Sequence, residues 1–187
     1  MAMLAAAAVP ILRLDTEIYN RMVESGALDG QPVELIDGLL VEHVSPQGPE
    51  HAAIVERLTR HFASAREWLR VQLPLEVRPD SEPEPDLALV DHEASPKQHA
   101  RTAVLVVEVA VTSHLIDRDS KAALYARAGV PVYWLVDVPA RAVEVRTEPA
   151  SDGYRRCEVF VEGVCAPSPV AGTEDLDVTA LFAGVEG

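Results

Sequence analysis

The sequence predicts an α/β fold in which helices flank a mixed central β-sheet. Short apolar runs of strand length alternate with segments of helical periodicity along the chain. Their order is helix, hairpin, helix, three strands, helix, strand and then further strands. The 187 residues suffice for one domain with a sizeable core, and no repeat or linker divides the sequence. We therefore expect a single domain over residues 1–187.

Turn and capping residues delimit the elements of the first half. The predicted elements are a helix at 14–26, a hairpin at 33–44, a helix at 50–69 and a strand at 71–77. Asp37-Gly38 is the strongest short hairpin signal, because Asp and Gly tolerate the positive φ angles of a two-residue turn. Pro74 lacks an N–H group, so the fourth element is predicted to be an edge strand or a bulge.

The second half is predicted to hold most of the sheet. The predicted elements are strands at 86–90 and 103–111, a helix at 120–128, a strand at 132–137, and antiparallel edge strands at 142–146 and 155–160. Gly129 is placed to end the helix, with Pro131 just beyond it. The strands at 103–111 and 132–137 are almost wholly apolar, which is typical of strands buried on both faces.

Glu108 is the charged residue in the apolar run Ala103–Val111. A buried carboxylate costs several kcal/mol unless a cation or a metal pairs with it. Asp86 heads the preceding apolar strand, and Lys121 follows thirteen residues after Glu108 in a helical pattern. Two carboxylates on neighbouring strands and one ammonium are the minimal parts of a divalent-metal hydrolase site. We therefore predict Asp86, Glu108 and Lys121 as catalytic residues, with Asp86 and Glu108 as metal ligands.

Such an oxygen-rich site suits Mg²⁺ or Mn²⁺. A metal of this kind activates water and stabilises charge on a phosphoryl oxygen. Lys121 would position the attacking water or stabilise the transition state as a point charge. Structural alternatives stay open for each residue: Asp86 as a loop cap, Glu108 in a buried ion pair, and Lys121 as a solvated residue in the first turn of its helix.

The sequence resembles the Uma2 family, within the restriction-endonuclease-like PD-(D/E)xK superfamily. The resemblance covers about residues 15–160 and is carried by the segments 33–41, 82–90, 105–109 and 117–137. It implies a restriction-endonuclease-like core and Mg²⁺-dependent cleavage of DNA, with Asp86 and Glu108 as the motif acids. The superfamily pattern places its Lys where this chain has Ala110, so the resemblance assigns that role to Lys121 on the following helix.

Two further residues are secondary candidates. Glu34, in the predicted hairpin, would add a third carboxylate to the site or pair with an Arg. His51, near the start of the second predicted helix, would contact substrate or assist proton transfer; the simpler alternative is a surface histidine.

Charge and composition limit the partners. The net charge of −14 argues against nonspecific binding to a polyanion but permits a DNA substrate met through a local Arg patch. No stretch approaches the roughly 20 apolar residues of a membrane span. Cys157 and Cys165 lack the spacing of a metal site or disulfide framework, so we expect reduced cysteines in a cytoplasmic protein.

Three functional hypotheses follow from the sequence. The first is a metal-dependent endonuclease, which by analogy with superfamily nucleases would be a homo-oligomer. The second is a catalytically inactive nuclease-fold domain that serves in binding or assembly, which the acidic net charge mildly favours. The third is a metal-dependent hydrolase of another phosphate ester, such as a nucleotide.

Overall fold

The computed structural model describes residues 11–42, 48–77, 79–91, 98–111 and 115–185, of which residues 115–118 are described by their backbone. Within these residues the chain forms four α-helices: α1 (Thr16–Glu24), α2 (Pro49–His61), α3 (Leu115–Arg127) and α4 (Val178–Phe182). None of the helices has the length and apolar character needed to cross a membrane.

The strands of the described residues form one large sheet and two small ones. They are β1 (Val33–Ile36), β2 (Leu39–Glu42), β3 (Leu69–Val71), β4 (Leu87–Val90), β5 (Ala103–Ala110), β6 (Val132–Asp137), β7 (Ala142–Ala150), β8 (Gly153–Val161), β9 (Cys165–Ala166) and β10 (Leu176–Asp177). The large sheet has the order β3-β4-β5-β6-β7-β8, while β1 pairs with β2 and β9 with β10.

The large sheet is mixed because one of its neighbouring pairs is parallel. β5 runs parallel to β6, and the other four pairs are antiparallel. Parallel neighbours require a crossover connection, and α3 supplies it between β5 and β6. The helix that follows Glu108 in sequence therefore returns across the sheet, where it contacts β6, β7 and β8.

Apolar side chains cover both faces of the sheet. On one face, Trp134 of β6 packs with residues of α2 and α4, including Leu58 and Phe182. On the other face, Tyr133 of β6 packs with Tyr125 of α3. Since helices lie on both faces of a mixed sheet, the predicted fold class is confirmed.

Several element boundaries differ from the predictions. The strand predicted at 71–77 is wrong: regular pairing ends at Val71, because Gln72 takes a φ of 50° and Pro74 has no N–H to donate. The helix predicted to reach Leu69 ends at His61 and continues as a 3-10 turn. The Asp37-Gly38 turn is confirmed, with φ angles of 48° and 75°.

The second half needs two corrections. The helix predicted to start at Ser120 begins at Leu115; the polar run 117–120 follows two apolar residues and interrupts the apolar helical spacing. Lys121 consequently lies in the interior of α3 and not in its first turn. The predicted antiparallel pair is confirmed but extends to Ala150 and Gly153, and β8 alone of the two strands lies at the edge of the sheet.

Candidate active site

Asp86 lies beside Glu108 because of the register between β4 and β5. Leu87, the first residue of β4, pairs with Val107. The preceding residue, Asp86, therefore comes alongside Glu108. The Asp86 side chain is buried, and its Oδ2 accepts a hydrogen bond of 2.8 Å from the backbone N–H of Val109. Asp86 thus accepts a hydrogen bond from the neighbouring strand β5. A residue that only capped a loop would not make this bond.

Helix α3 carries Lys121 to the same end of the sheet. Its Nζ lies 3.3 Å from Oε1 of Glu108 and 3.3 Å from Oε2 of Glu34. The Lys121 side chain is 11% exposed, so this ammonium is largely removed from water. The position two residues after Glu108 is Ala110, and the helix supplies the cation that a strand residue would otherwise provide.

Glu34 reaches the cluster from the β1–β2 hairpin. Its side chain is buried and contacts Lys121, with the second oxygen at 3.5 Å from Nζ. The sequence left open whether Glu34 adds a carboxylate or pairs with an Arg; the structure places it with the lysine. Glu34 and Glu108 therefore share one ammonium between them.

Tyr125 is a member of this cluster that the sequence analysis did not predict. Its hydroxyl donates a hydrogen bond of 2.7 Å to Oε1 of Glu108. Burial, followed by the charge of Glu108, raises the pKa of the Tyr125 hydroxyl well above 10, so it stays protonated and donates. The available signal was its spacing of four residues from Lys121, which puts both side chains on one face of α3.

His51 also belongs to the cluster, through Asp86. It lies in the first turn of α2 and is only 4% exposed, so the alternative of a surface histidine is wrong. The reason is that the start of α2 packs at the edge of the cluster, where Nε2 of His51 lies 2.9 Å from Oδ1 of Asp86. His51 and the Val109 N–H each hold a different oxygen of this carboxylate.

The cluster holds more negative than positive charge. Burial raises the pKa of Glu108 to about 7; Lys121 opposes that rise, the carboxylates of Asp86 and Glu34 add to it, and the hydrogen bond from Tyr125 opposes it. The cluster has three carboxyl groups and one ammonium, and with its raised pKa Glu108 carries only part of its negative charge near pH 7. A site with this imbalance favours binding of a further cation.

The oxygen ligands suit a hard divalent cation. Within the described ranges, no group of three or more His, Cys, Asp and Glu side chains is arranged to hold a metal. Mg²⁺ is commonly bound through one or two carboxylates and keeps several waters. Lys121 and Tyr125 both contact Oε1 of Glu108, and Asp86 is held in place from two sides. The carboxylate oxygens of these two residues are the ligand type that Mg²⁺ and Mn²⁺ prefer.

The mixed six-stranded sheet with helices on both faces is a fold that this chain shares with a solved structure described as a "putative nuclease". The chain belongs to the Uma2 family, described as "Putative restriction endonuclease", which matches residues 17–179. The predicted family is thus confirmed. Among curated proteins, none matches the chain.

A solved structure with this fold comes from Anabaena variabilis and is described as a "putative nuclease belonging to DUF820". It is 20% identical, has a TM-score of 0.66, and the match covers 82% of this chain and 91% of that chain. At this identity the likeness shows the fold. The roles of Asp86, Glu108, Lys121, Glu34 and His51 stay predictions.

Proposed function

We propose that this protein is a Mg²⁺- or Mn²⁺-dependent endonuclease that hydrolyses phosphodiester bonds of DNA. The observation that carries the proposal is the position of Lys121, whose Nζ lies 3.3 Å from each of two largely buried carboxylates, Glu34 and Glu108. Asp86 lies beside Glu108, immediately before the first residue of β4. Membership of the Uma2 family supports a nucleic acid as the substrate.

Asp86 and Glu108 are the residues that would hold the metal. When bound, the ion supplies stabilisation of charge on the phosphoryl oxygens and lowers the pKa of a bound water. Lys121 adds a fixed positive charge beside the same carboxylates, in a site largely removed from water. Such charges act strongly on a transition state because they need no reorganisation during the reaction.

The other members of the cluster orient the two ligands. His51 and the Val109 N–H bond opposite oxygens of Asp86, which restricts rotation of its carboxylate. Tyr125 holds Oε1 of Glu108. Groups that orient metal ligands in this way commonly change metal affinity by 10- to 100-fold when removed, an order-of-magnitude effect of roughly 1–3 kcal/mol.

A cleavage assay tests the proposed activity. Supercoiled and linear DNA would be incubated with the wild type in Mg²⁺, in Mn²⁺ or in a chelator. We expect cleavage only with metal, and a loss of about 10²-fold or more in Asp86→Asn and in Glu108→Gln. Glu56→Gln is the matched control, because Glu56 is an exposed carboxylate on α2. Undiminished cleavage by a purified Asp86 or Glu108 variant would refute the assignment.

Metal titration separates this activity from a non-catalytic domain. We expect calorimetry to show Mn²⁺ binding that is lost in Asp86→Asn. A wild type that neither binds Mn²⁺ nor cuts DNA would favour the binding or assembly domain instead, a role with which the net charge of −14 is compatible. A third role, hydrolysis of monomeric phosphate esters, would be recognised by turnover of nucleotides without cleavage of DNA.

A further inference from the structure

The large sheet ends in a long and accessible strand. β8 spans nine residues, Gly153–Val161, and pairs with β7 alone among the described strands. Residues 155–159 are exposed without interruption, and Val159 and Val161 are 58% and 50% exposed. An edge strand of this kind presents a row of backbone N–H and C=O groups that can pair with another strand.

The opposite edge of the sheet is closed to such pairing. β3 has three residues, and the next residue, Gln72, takes a φ of 50° before the chain reaches Pro74. Short strands, kinks, prolines and charged side chains are features by which proteins prevent pairing at an edge. β8 is long and lacks proline, and its charges, Arg155, Arg156 and Glu158, are of both signs, so a partner strand of complementary charge can pair with it.

Symmetry limits how two copies of β8 can pair. A two-fold axis normal to the sheet keeps each residue on its own face, so paired positions must both be odd or both be even. The middle residue of Gly153–Val161 is Cys157, and an axis at this residue pairs all nine positions. In that register Gly153 of one copy is opposite Val161 of the other, and Cys157 is opposite its own counterpart.

The charges on β8 agree with this register. With the axis at Cys157, Arg156 of each copy is opposite Glu158 of the second copy, which gives two ion pairs by symmetry. Moving the axis to Arg156 would oppose two arginines, and moving it to Glu158 would oppose two glutamates. Directly opposed like charges destabilise a sheet, whereas opposite charges stabilise it.

The remaining positions of the same register are also compatible. Arg155 is opposite Val159, so no like charges meet there. Tyr154 is opposite Phe160, but each ring packs within its own chain, Tyr154 against Tyr133 and Phe160 against the core around Trp134, so the aromatic rings do not contribute to the pairing. Within one chain, Arg156 already contacts Glu158 at 3.0 Å, and both side chains are about half exposed. Both partners are therefore accessible to a second copy.

We propose that two copies of this chain associate by antiparallel pairing of β8 with β8 about a two-fold axis at Cys157. The two six-stranded sheets then form one continuous sheet of twelve strands. The association depends on the edge strand and its charges, and it does not depend on the proposed nuclease activity.

Sedimentation of charge variants tests the pairing. We expect the wild type to show a monomer–dimer equilibrium between about 1 and 100 µM. Arg156→Glu would oppose Glu158 of the second copy and weaken dimerisation about tenfold or more. The double variant Arg156→Glu with Glu158→Arg reverses both charges and should restore it. Arg155→Glu is the matched control, because Arg155 is opposite the neutral Val159.

Thiol crosslinking tests the register directly. In a Cys165→Ser background, oxidation with diamide should join two Cys157 thiols in a disulfide while diamide is reduced to the hydrazine. Additional replacement of Cys157 by Ser should abolish the crosslinked dimer. A wild type that remains monomeric over the whole concentration range would overturn the proposal. Equal dimerisation of Arg156→Glu and the wild type, or failure of the charge reversal to restore it, would overturn it as well.

Discussion

The Nζ of Lys121 lies 3.3 Å from Oε1 of Glu108, although a helix and not the strand of Glu108 carries the lysine. The crossover between parallel β5 and β6 makes this contact possible, because it returns α3 over the face on which Glu108 lies. An ammonium can thus contact Glu108 without a place in the strand itself. The consequences of this arrangement are open to direct measurement.

The first prediction concerns Lys121→Met. We expect the rate of metal-dependent cleavage to fall about 10²- to 10³-fold, the usual effect of removing one group that stabilises transition-state charge. Mn²⁺ affinity should hold or increase, because the ammonium competes with the metal for Glu34 and Glu108. Single-turnover cleavage and calorimetry measure the two effects separately. Arg60→Met, which removes an exposed cation from α2, is the control and should leave the cleavage rate and the Mn²⁺ affinity unchanged. If Lys121→Met lowered the Mn²⁺ affinity together with the cleavage rate, Lys121 would have a structural role.

The second prediction concerns stability of the metal-free protein. The pKa of Glu108 is about 7 in the folded state and 4.5 for an ordinary glutamate, so the folded state holds this proton more tightly. The stability contributed by the neutral form is complete below pH 4.5 and is lost as the pH rises to 7. A shift of this size corresponds to roughly 3 kcal/mol.

Glu108→Gln should therefore be more stable than the wild type at pH 8, by up to about 3 kcal/mol, and similar to it at pH 4.5. Urea unfolding at the two pH values in a chelator measures the difference. The exposed-site variant Glu56→Gln should show no such pH dependence. A Glu108→Gln variant that is less stable than the wild type at pH 8 would contradict the raised pKa.

The third prediction concerns Tyr125→Phe. The change removes a hydrogen bond of 2.7 Å to a carboxylate, an interaction of about 1.5–3 kcal/mol. The pKa of Glu108 should rise further, by about one to two units. The acid limb of the pH profile for Mn²⁺ binding should therefore shift to higher pH. Tyr154→Phe, which loses a hydroxyl bonded to the carbonyl of Val130, is the matched control and should leave that limb in place.

The fourth prediction concerns His51→Ala. Asp86 would keep its bond from the Val109 N–H but lose the contact of 2.9 Å with Nε2 of His51. We expect Mn²⁺ affinity to fall about 10- to 100-fold, less than in Asp86→Asn, because the ligand remains but rotates more freely. Calorimetry measures the change. His61→Ala on the same helix is the control, and equal losses in the two variants would point to damage of α2 as a whole.

Much of the fold was predictable because its signals are local. The apolar run around Glu108 identified β5, and Asp37-Gly38 identified the hairpin turn. The strand predicted at 71–77 failed for a reason that is not local: alternation of side chains continues after Val71, but the backbone turns out of the sheet at Gln72. Periodicity reports side-chain character and does not report whether a neighbouring strand is present.

The candidate site was predictable only in part. Asp86 and Glu108 were chosen from chemistry, since a carboxylate in or next to an apolar strand requires a partner. Tyr125 was not among the predicted site residues; it is buried, and its hydroxyl donates a specific hydrogen bond to Glu108. His51 was taken more readily as a surface residue because nothing local shows that the start of α2 packs against Asp86.

The sequence by itself determined the fold class, the family resemblance and the two apolar strands that carry Asp86 and Glu108, because these depend on residue type and short-range periodicity. The tertiary structure alone decided which groups meet. Lys121, Tyr125, His51 and Glu34 come from three separate elements, and their distances to the two acids depend on strand register and helix packing. Contacts between residues distant in sequence arise from packing, which no local pattern encodes.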